Sequence, residues 1–130
     1  MEYKVGTIPD VEQITSLYES SGINRPIADK TRIRNMYAQS NLVVTAWDGA
    51  SLVGIARSLT DSCYACYLSD LAVEKAYQGK GVGKKLVEIT LEAIGDQTSL
   101  ILLSAPSATE YYPKLGFERV ENGFILHRKK

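Results

Sequence analysis

The chain has 130 residues, of which 45% are hydrophobic and 23% are charged, as is typical of a single globular domain. Fifteen Lys and Arg residues balance fifteen Asp and Glu residues, so the formal net charge is zero. This balance argues against binding to nucleic acid or to an anionic membrane surface. Two cysteines are too few for a disulfide scaffold, and no apolar run approaches the ~20 residues of a membrane span. We expect one cytoplasmic domain over residues 1–130.

The first third of the chain predicts a short strand and two helices. Tyr3–Val5 is the strand, and Asp10 with Gln13 three residues later forms a capping box that begins the first helix. Apolar residues then recur at helical spacing until Gly22 ends the helix. A second helix is predicted from about Asp29 to Ser40.

The middle of the chain changes to the patterns of strands. Leu42–Trp47 and Leu52–Leu59 predict a hairpin around the turn Asp48–Gly49. Cys63–Val73 predicts a third, longer strand. The apolar period then switches to that of a helix, which is predicted from Val82 to Ile94.

The last third of the chain adds one more strand, one helix and a hairpin. Leu100–Leu103 shows no alternation, which predicts a central strand buried on both faces. A helix is predicted from about Ser107 to Leu115. Phe117–Glu121 and Gly123–His127 predict a closing hairpin around Asn122-Gly123. The order β-α-α-β-β-β-α-β-α-β-β predicts an α/β fold, a mixed sheet with helices on both faces.

The most informative segment is a glycine-rich turn between the third long strand and the helix that follows it. At the start of a helix, several backbone N–H groups lack partners and carry partial positive charge. Glycines let an anion approach these groups because no Cβ stands in the way. Lysines in and after the turn add positive charge. The segment therefore predicts a phosphate or pyrophosphate site and comprises Gln78, Gly79, Lys80, Gly81, Val82, Gly83 and Lys84.

Other readings of this turn are less favourable. The mononucleotide motif G-x-x-x-x-G-K-[ST] fails because its second glycine would fall on Lys84. The dinucleotide motif G-x-G-x-x-G fails because the last glycine, Gly83, comes one residue too early. A plain turn and helix cap would also use glycines, but it does not account for the lysines that accompany them.

Two motifs resemble those of the GNAT superfamily, the acetyl-CoA-dependent N-acyltransferases. Gln78-Gly79-Lys80-Gly81-Val82-Gly83 is similar to the signature Q/R-x-x-G-x-G/A. Downstream, Ala108, Tyr112 and Gly116-Phe117 resemble the pattern A-x-x-x-Y-x-x-x-G-F. The resemblance extends over essentially the whole chain, and residues 66–117 make it specific.

The resemblance implies acetyl-CoA as cosubstrate, bound between two splayed parallel strands. One strand ends near Val73 and the other near Leu100–Leu103. The backbone of Leu71, Ala72 and Val73 would pair with the pantetheine arm as an added strand. The amides of Gly79 to Lys84 would hold the pyrophosphate, which agrees with the anion site argued from the helix start.

The resemblance also implies direct attack of a primary amine on the thioester in a ternary complex. The departing thiolate needs a proton, and Tyr112 occupies the position of the family's general acid. Aromatic packing at a helix end is the alternative for Tyr112 and the preferred interpretation of Tyr111. No covalent acyl-enzyme is expected.

Two departures from the family pattern affect the rest of the site. Tyr67 stands where related enzymes often carry a glutamate base, which leaves Asp70, Ser69 or a water chain as candidates. On a regular strand Asp70 points to the opposite face from Tyr67, unless a bulge intervenes. A structural hydrogen-bond acceptor is an equal alternative for Asp70. Ala105 stands where many members have an asparagine that contacts pantetheine.

Several other residues are assigned structural roles. Trp47, Tyr64 and Tyr67 are expected to pack on the sheet rather than to contact the acceptor. Cys63 and Cys66 form a C-x-x-C pattern, but their side chains would point to opposite faces of a strand. With one histidine in the chain they cannot complete a zinc site, so no metal is expected.

The sequence therefore predicts an N-acetyltransferase whose partners are acetyl-CoA and a small-molecule or protein amine, with a homodimer possible. Arg25 lies in the loop that borders the acceptor site in this fold. We expect it to be solvated, and recognition of an anionic acceptor group is the alternative. The second hypothesis is a catalytically weak coenzyme A-binding sensor or interaction module, since no residue matches the usual base.

Overall fold

The computed structural model describes all 130 residues and contains one five-stranded sheet. The strands, in chain order and in sheet order, are Glu2–Val5 (β1), Leu42–Asp48 (β2), Ser51–Thr60 (β3), Ala65–Val73 (β4) and Ser99–Ile101 (β5). Neighbours from β1 to β4 are antiparallel, whereas β5 is parallel to β4. The predicted mixed sheet is confirmed.

Four α-helices accompany the sheet, namely Val11–Ser21 (α1), Lys30–Ala38 (α2), Val82–Ile94 (α3) and Tyr111–Lys114 (α4). The bounds of α3 are those predicted. At the start of α1 the Asp10 N–H donates to the Gln13 side chain at 3.3 Å, as a capping box requires. No helix combines the length and the apolar character that crossing a bilayer needs.

The helices cover the two faces of the sheet, as the alternating elements predict. One apolar cluster joins α1 and α2 to the sheet, with Tyr18 and Ile33 fully buried. The other joins α3 to the opposite face, where Leu86 is fully buried. Each cluster contains 11 buried residues. The sheet is therefore a rigid layer between two cores, and the loops at its ends are positioned from both sides.

Two turns differ in position from the prediction. Asp48 pairs with Ser51, so the hairpin turn is Gly49-Ala50 rather than Asp48–Gly49. The strand β4 begins two residues later than predicted. The reason is that the Asp61 carboxylate accepts hydrogen bonds from the three consecutive amides of residues 63–65, which bends the chain before the strand.

The predicted helix from Ser107 to Leu115 is interrupted. A 3₁₀ turn at Pro106–Ala108 is followed by the four-residue α4. Pro113 has no N–H to donate and its ring would clash with a carbonyl one turn earlier, so a continuous helix through this position is unfavourable. Gly116 then takes a left-handed φ of 97°, which ends the helix.

The predicted closing hairpin does not form. Residues 118–130, called here the C-terminal arm, contain no strand or helix and are exposed throughout. The strand β5 consequently lies at an edge of the sheet, and Ile101 is 48% exposed. The prediction of a central strand buried on both faces was therefore wrong. The turn signal at Asn122-Gly123 is local, whereas strand formation needs a neighbour, and the arm has none within this chain.

Candidate functional site

A gap opens in the sheet between β4 and β5. The two strands pair only from Ala65 opposite Ser99 to Tyr67 opposite Ile101. Beyond that pair β4 continues to Val73, while β5 ends. The backbone of β4 beyond Tyr67 thus has no strand neighbour on this side and is available to an extended ligand.

A β-bulge at Ser69 turns the end of β4. Arg57 of β3 is opposite Asp70, yet the next residue of β3, Ser58, is opposite Leu68, so Ser69 is the extra residue. The burial pattern agrees, because Leu68 packs in the α3 cluster whereas Ala72 packs in the α1/α2 cluster. On a regular strand both would share a face. The bulge therefore directs Asp70 to the face covered by α1 and α2.

Asp70 is the centre of a buried ionic cluster. The Arg57 Nε donates to its Oδ2 at 2.7 Å, and the Arg25 Nε donates to its Oδ1 at 2.6 Å. The Tyr18 hydroxyl donates to Oδ2 at 2.6 Å and also forms a short hydrogen bond with the Tyr37 hydroxyl. The Asp70 side chain is fully buried. Its oxygens are occupied by donors from α1, from the loop after it and from β3.

The charges in this cluster decide the protonation state of Asp70. Burial by itself raises the pKa of the carboxyl, but the hydrogen bond and charge of Arg57, with Tyr18 and Arg25, lower the pKa below its ordinary value. Burial raises the pKa of Tyr18 and of Tyr37, so both phenols stay protonated. An ionised carboxylate that is paired twice and excluded from solvent is a structural anchor rather than an accessible base.

Arg25 is not the solvated loop arginine expected from the sequence. Besides Asp70 it donates through Nη2 to the Ser69 carbonyl at 2.7 Å, and its side chain is 27% exposed. Ser69 is also engaged, because its Oγ accepts from Arg57 Nη2 at 2.8 Å. Sequence reasoning missed Tyr18, Tyr37 and Arg57 as members of this cluster. An arginine in an otherwise apolar buried strand was the available signal, since such a charge needs a partner.

The glycine-rich turn presents a run of backbone donors. The amides of the six residues from 79 to 84 donate no hydrogen bond within the chain, and the first helical bond runs from the Lys85 N–H to the Gly81 carbonyl at 3.0 Å. Gly79 and Gly81 have left-handed φ values of 77° and 84°. A Cβ at either would meet nothing within 4 Å, so their outer side is open. Unpaired amides at the positive end of a 13-residue helix can bind an anion.

Gly83 is a glycine for a different reason. A Cβ at this position would overlap the Tyr111 hydroxyl. Tyr111 thereby packs α4 against the start of α3, in the role expected of it. Gln78 also has a positioning role, because its side-chain amide donates to the Val73 carbonyl at 2.9 Å. This bond ties the turn to the end of β4.

Tyr112 lies in an aromatic group beside α3. Its ring meets Tyr111 edge-on at 5.3 Å and Phe117 edge-on at 5.6 Å between centroids. Burial, and secondarily the neighbouring Tyr111, raise the pKa of Tyr112, although the charge of Arg25 opposes the rise. The phenol is thus protonated at neutral pH and carries a proton that it can donate.

The remaining residues discussed from the sequence lie partly in the core and partly on the surface. Trp47 is buried and donates from its ring N–H to the Thr45 hydroxyl at 2.7 Å, as expected of a packing residue. Tyr64 is 80% exposed, so the packing role expected for it was wrong, and Tyr67 is 40% exposed. Cys66 is buried and Cys63 exposed. No group of three or more His, Cys, Asp or Glu side chains is placed to hold a metal ion.

The sequence is similar to that of a known protein family. The family model described as Acetyltransferase (GNAT) domain matches residues 15–127. A probable acetyltransferase of Glycine max, TAP2, is 27% identical over 124 residues, covering 88% of this chain and 50% of that protein. The chain thus spans about half the length of this curated relative.

Solved structures show the same fold. A probable acetyltransferase of meticillin-resistant Staphylococcus aureus superposes with a TM-score of 0.83 at 24% identity, covering 99% of this chain and 100% of that one. The aminoglycoside N-acetyltransferase AAC(6')-Iy, solved in complex with CoA, superposes with a TM-score of 0.72 at 15% identity, covering 99% and 96%. At these identities the likeness concerns the fold.

The buried ionic cluster leads to a prediction about stability. Asp70→Asn removes the charge that both arginines share, and Arg57 remains buried without a counter-charge. We expect the free energy of unfolding to fall by about 3–5 kcal/mol, measured by urea denaturation at pH 7. Glu12→Gln is the matched control, because Glu12 pairs with Lys30 at 3.5 Å on the exposed surface and should change stability little.

Comparison of Asp70→Asn with the wild type also gives a pH test. The folded-state pKa of Asp70 is depressed, so its pairs stabilise the fold above the ordinary carboxyl pKa, and this stabilisation is lost as the pH falls through the folded value. The wild type should therefore lose more stability than Asp70→Asn on acidification below about pH 4. Equal free energies of unfolding for the wild type and Asp70→Asn at pH 7 would show that the charge of Asp70 makes no net contribution to stability.

Proposed function

Since the chain belongs to the GNAT acetyltransferase domain family, we propose that it transfers an acetyl group from acetyl-CoA to a primary amine in a ternary complex. The observation that carries this proposal is the run of six unbonded amides at residues 79–84. They lie at the start of α3, in the turn that follows the unpaired end of β4. A ligand that carries a diphosphate and an extended arm matches both features. The unbonded amides can bind the diphosphate, and the unpaired edge of β4 can pair with the arm as with an added strand.

Acetyl-CoA would be held by the backbone of two segments. Leu71, Ala72 and Val73 would bond to the amides of the pantetheine arm along the free edge of β4. The amides of Gly79 to Lys84 would bind the diphosphate, with Lys80 and Lys84 adding positive charge. Gln78 would act indirectly, because its bond to the Val73 carbonyl fixes the angle between these segments. The cosubstrate supplies a thioester, whose carbonyl carbon accepts a nucleophile.

The transfer needs few protein groups. The amine nitrogen attacks the thioester carbonyl carbon, the carbon–sulfur bond breaks, and the acetyl group remains on nitrogen. The departing thiolate takes the hydroxyl proton of Tyr112, a phenol that is protonated at neutral pH. The proton lost by the amine passes to water, and the Tyr112 phenolate takes a proton back from water before the next turnover.

Water is the proposed proton acceptor because the nearby side chains are already engaged. Asp70 is buried and paired with two arginines. The Ser69 hydroxyl accepts from Arg57 and donates to Asp70 at 3.3 Å. Neither the Asp70 carboxylate nor the Ser69 hydroxyl can therefore accept a proton from an amine unless the hydrogen bonds of the cluster break.

The alternative function is a coenzyme A-binding sensor or interaction module with little catalysis. What favours it is the same observation, that every polar side chain of the bulge is committed to the scaffold. Both functions require the cofactor, so binding alone does not distinguish them. The acceptor is proposed only as a small-molecule or protein amine, and the compartment as cytoplasmic.

The experiment that separates the two functions is release of free thiol from acetyl-CoA across a library of primary amines, including lysine peptides. Transfer predicts amine-dependent thiol release and an acetylated product found by mass spectrometry. A protein that binds acetyl-CoA but acetylates no amine in the library would be assigned to the sensor function.

A charge placed in the turn tests the diphosphate site. Gly81→Asp and Gly81→Asn share size and similar tolerance of a left-handed φ, so they strain the backbone alike. Only Asp brings a negative charge to the unbonded amides. We expect the Kd for coenzyme A, measured by calorimetry, to rise at least about tenfold more in the Asp variant than in the Asn variant.

The ligand offers a control for this comparison. Pantetheine lacks the diphosphate, so its affinity should be the same for the two variants. A coenzyme A affinity that is equal in Gly81→Asp and Gly81→Asn would remove the diphosphate from this turn.

Substitution of the phenol tests the proposed acid. Tyr112→Phe keeps the ring and its edge contacts but removes the transferable proton. We expect turnover to fall by more than about tenfold, with the Kd for acetyl-CoA nearly unchanged. Tyr111→Phe is the control, because its hydroxyl packs on Gly83. Unchanged turnover in Tyr112→Phe would assign both tyrosines to packing.

A further inference from the structure

A cavity of about 400 Å³ begins where the gap between β4 and β5 closes. Three of its lining residues form one apolar row across the sheet, namely Leu59 of β3, Tyr67 of β4 and Ile101 of β5. Cys66 and Leu68 pack in the α3 cluster, so Tyr67 between them points to the opposite face of the strand. The cavity therefore lies on the same face of the sheet as the buried ionic cluster.

The proposed binding of acetyl-CoA directs the thioester toward this cavity. The diphosphate would lie at the glycine turn, which follows Val73 at the open end of the gap. The pantetheine arm would then run along β4 toward the closed end of the gap, where Tyr67 pairs with Ile101. The reactive end of the arm reaches that pair, so an amine that attacks the thioester can approach through the cavity. The inference below therefore rests on the proposed function.

The end of the cavity remote from the gap carries one negative charge. Asp61 lines the cavity in the turn between β3 and β4, where its N–H donates to the Ala65 carbonyl at 3.2 Å. Its Oδ1 accepts from the amides of residues 63–65, whereas its Oδ2 accepts no hydrogen bond within the chain. Those amides lower the pKa of Asp61 below its ordinary value, so the carboxylate is ionised at neutral pH. No lysine or arginine lines the cavity.

The end of the cavity next to the gap has the opposite electrostatic character. Asp70 follows Tyr67 by three residues on β4 and is paired with both Arg25 and Arg57. Two positive charges against one negative charge leave this cluster with a net charge of +1. A nearby positive charge disfavours the protonated form of an amine, and only the neutral amine can attack a thioester. A ligand nitrogen is thus favoured as an ammonium beside Asp61 and as a free amine beside the gap.

We infer that the acceptor is an elongated primary amine with an apolar middle and a second cationic group, as in an α,ω-diamine. Its far ammonium binds the free oxygen of Asp61, and its carbon chain lies on the apolar row. Ala65, which is bonded to Asp61, and Leu68, where the gap opens, are three residues apart, or about 10 Å along a strand. A diamine with about six to eight carbons spans this distance. Tyr67, expected from the sequence to pack only on the sheet, then contacts the acceptor.

The test compares three ligands with the same carbon chain, heptane-1,7-diamine, heptylamine and 7-aminoheptanoate. Each is titrated by calorimetry into the full chain saturated with coenzyme A, which carries no acetyl group to transfer. We expect the Kd of the diamine to be at least about fivefold lower than that of heptylamine. The aminoheptanoate should bind most weakly, because its carboxylate meets the negative charge of Asp61. With acetyl-CoA, kcat/KM should follow the same order.

Substitution of the carboxylate supplies the decisive comparison. Asp61→Asn removes the charge but keeps an oxygen that can accept from the three amides of the turn. In this variant the Kd of the diamine should rise to that of heptylamine, while the Kd of heptylamine itself stays unchanged. Propane-1,3-diamine is too short to reach Asp61 and should not respond to the variant. Asp96→Asn is the matched control, because Asp96 is exposed and does not line the cavity.

The contrary results separate this inference from acetyl transfer. A wild type that binds the diamine no better than heptylamine would overturn the inference. So would an Asp61→Asn variant that keeps the preference for the diamine. If the diamine binds as expected but acetyl-CoA does not acetylate it, the cavity is still a diamine site, and the failure falls on the proposed acetyl transfer.

Discussion

The candidate site depends on the hydrogen bonds and ion pairs made by the buried carboxylate of Asp70. It holds Arg57 of β3, Arg25 of the loop after α1 and the hydroxyl of Tyr18 on α1. Breaking such a cluster leaves a buried charge without compensation, so the cluster fixes the relative position of these three segments. The bulge at Ser69 lies within it, and beyond the bulge β4 runs without β5 at its side. The ion pairs of Asp70 thus hold β4 in place at the point where its pairing with β5 has ended.

The glycine turn is positioned from the same strand end. Gln78 bonds to the Val73 carbonyl, Glu74 accepts a bond from the Ser20 hydroxyl of α1, and Tyr111 packs into the space left by Gly83. These three contacts therefore connect the end of β4, the turn and the start of α3 to one another and to α1 and α4, and none of them uses the amides of the turn. The donors are held rigidly while remaining free, which is the preorganisation that anion binding needs.

Local signals in the sequence predicted much of the fold. The apolar period and Gly95 gave α3 its bounds, and the glycines and lysines of the turn indicated its open amides. The bulge could only be named as a possibility from the sequence, because its existence and position are defined by the register between β3 and β4. The partners of Asp70 lie 13 to 52 residues away in the chain, so spacing could not bring them together. The arm failed for the opposite reason, since its local strand pattern has no neighbour to pair with.

The polar groups around the gap divide into two sets, those engaged within the protein and those left without a partner. Ionised side chains near the gap are paired within the protein, and under the proposed function the groups left for acetyl-CoA are backbone amides and a phenol. Backbone donors require a conformation rather than a particular side chain, so most positions around them can change. Substitution is then most restricted at the positions that shape the backbone. Examples are Gly83, which lies against Tyr111, and Asp70, which lies at the bulge.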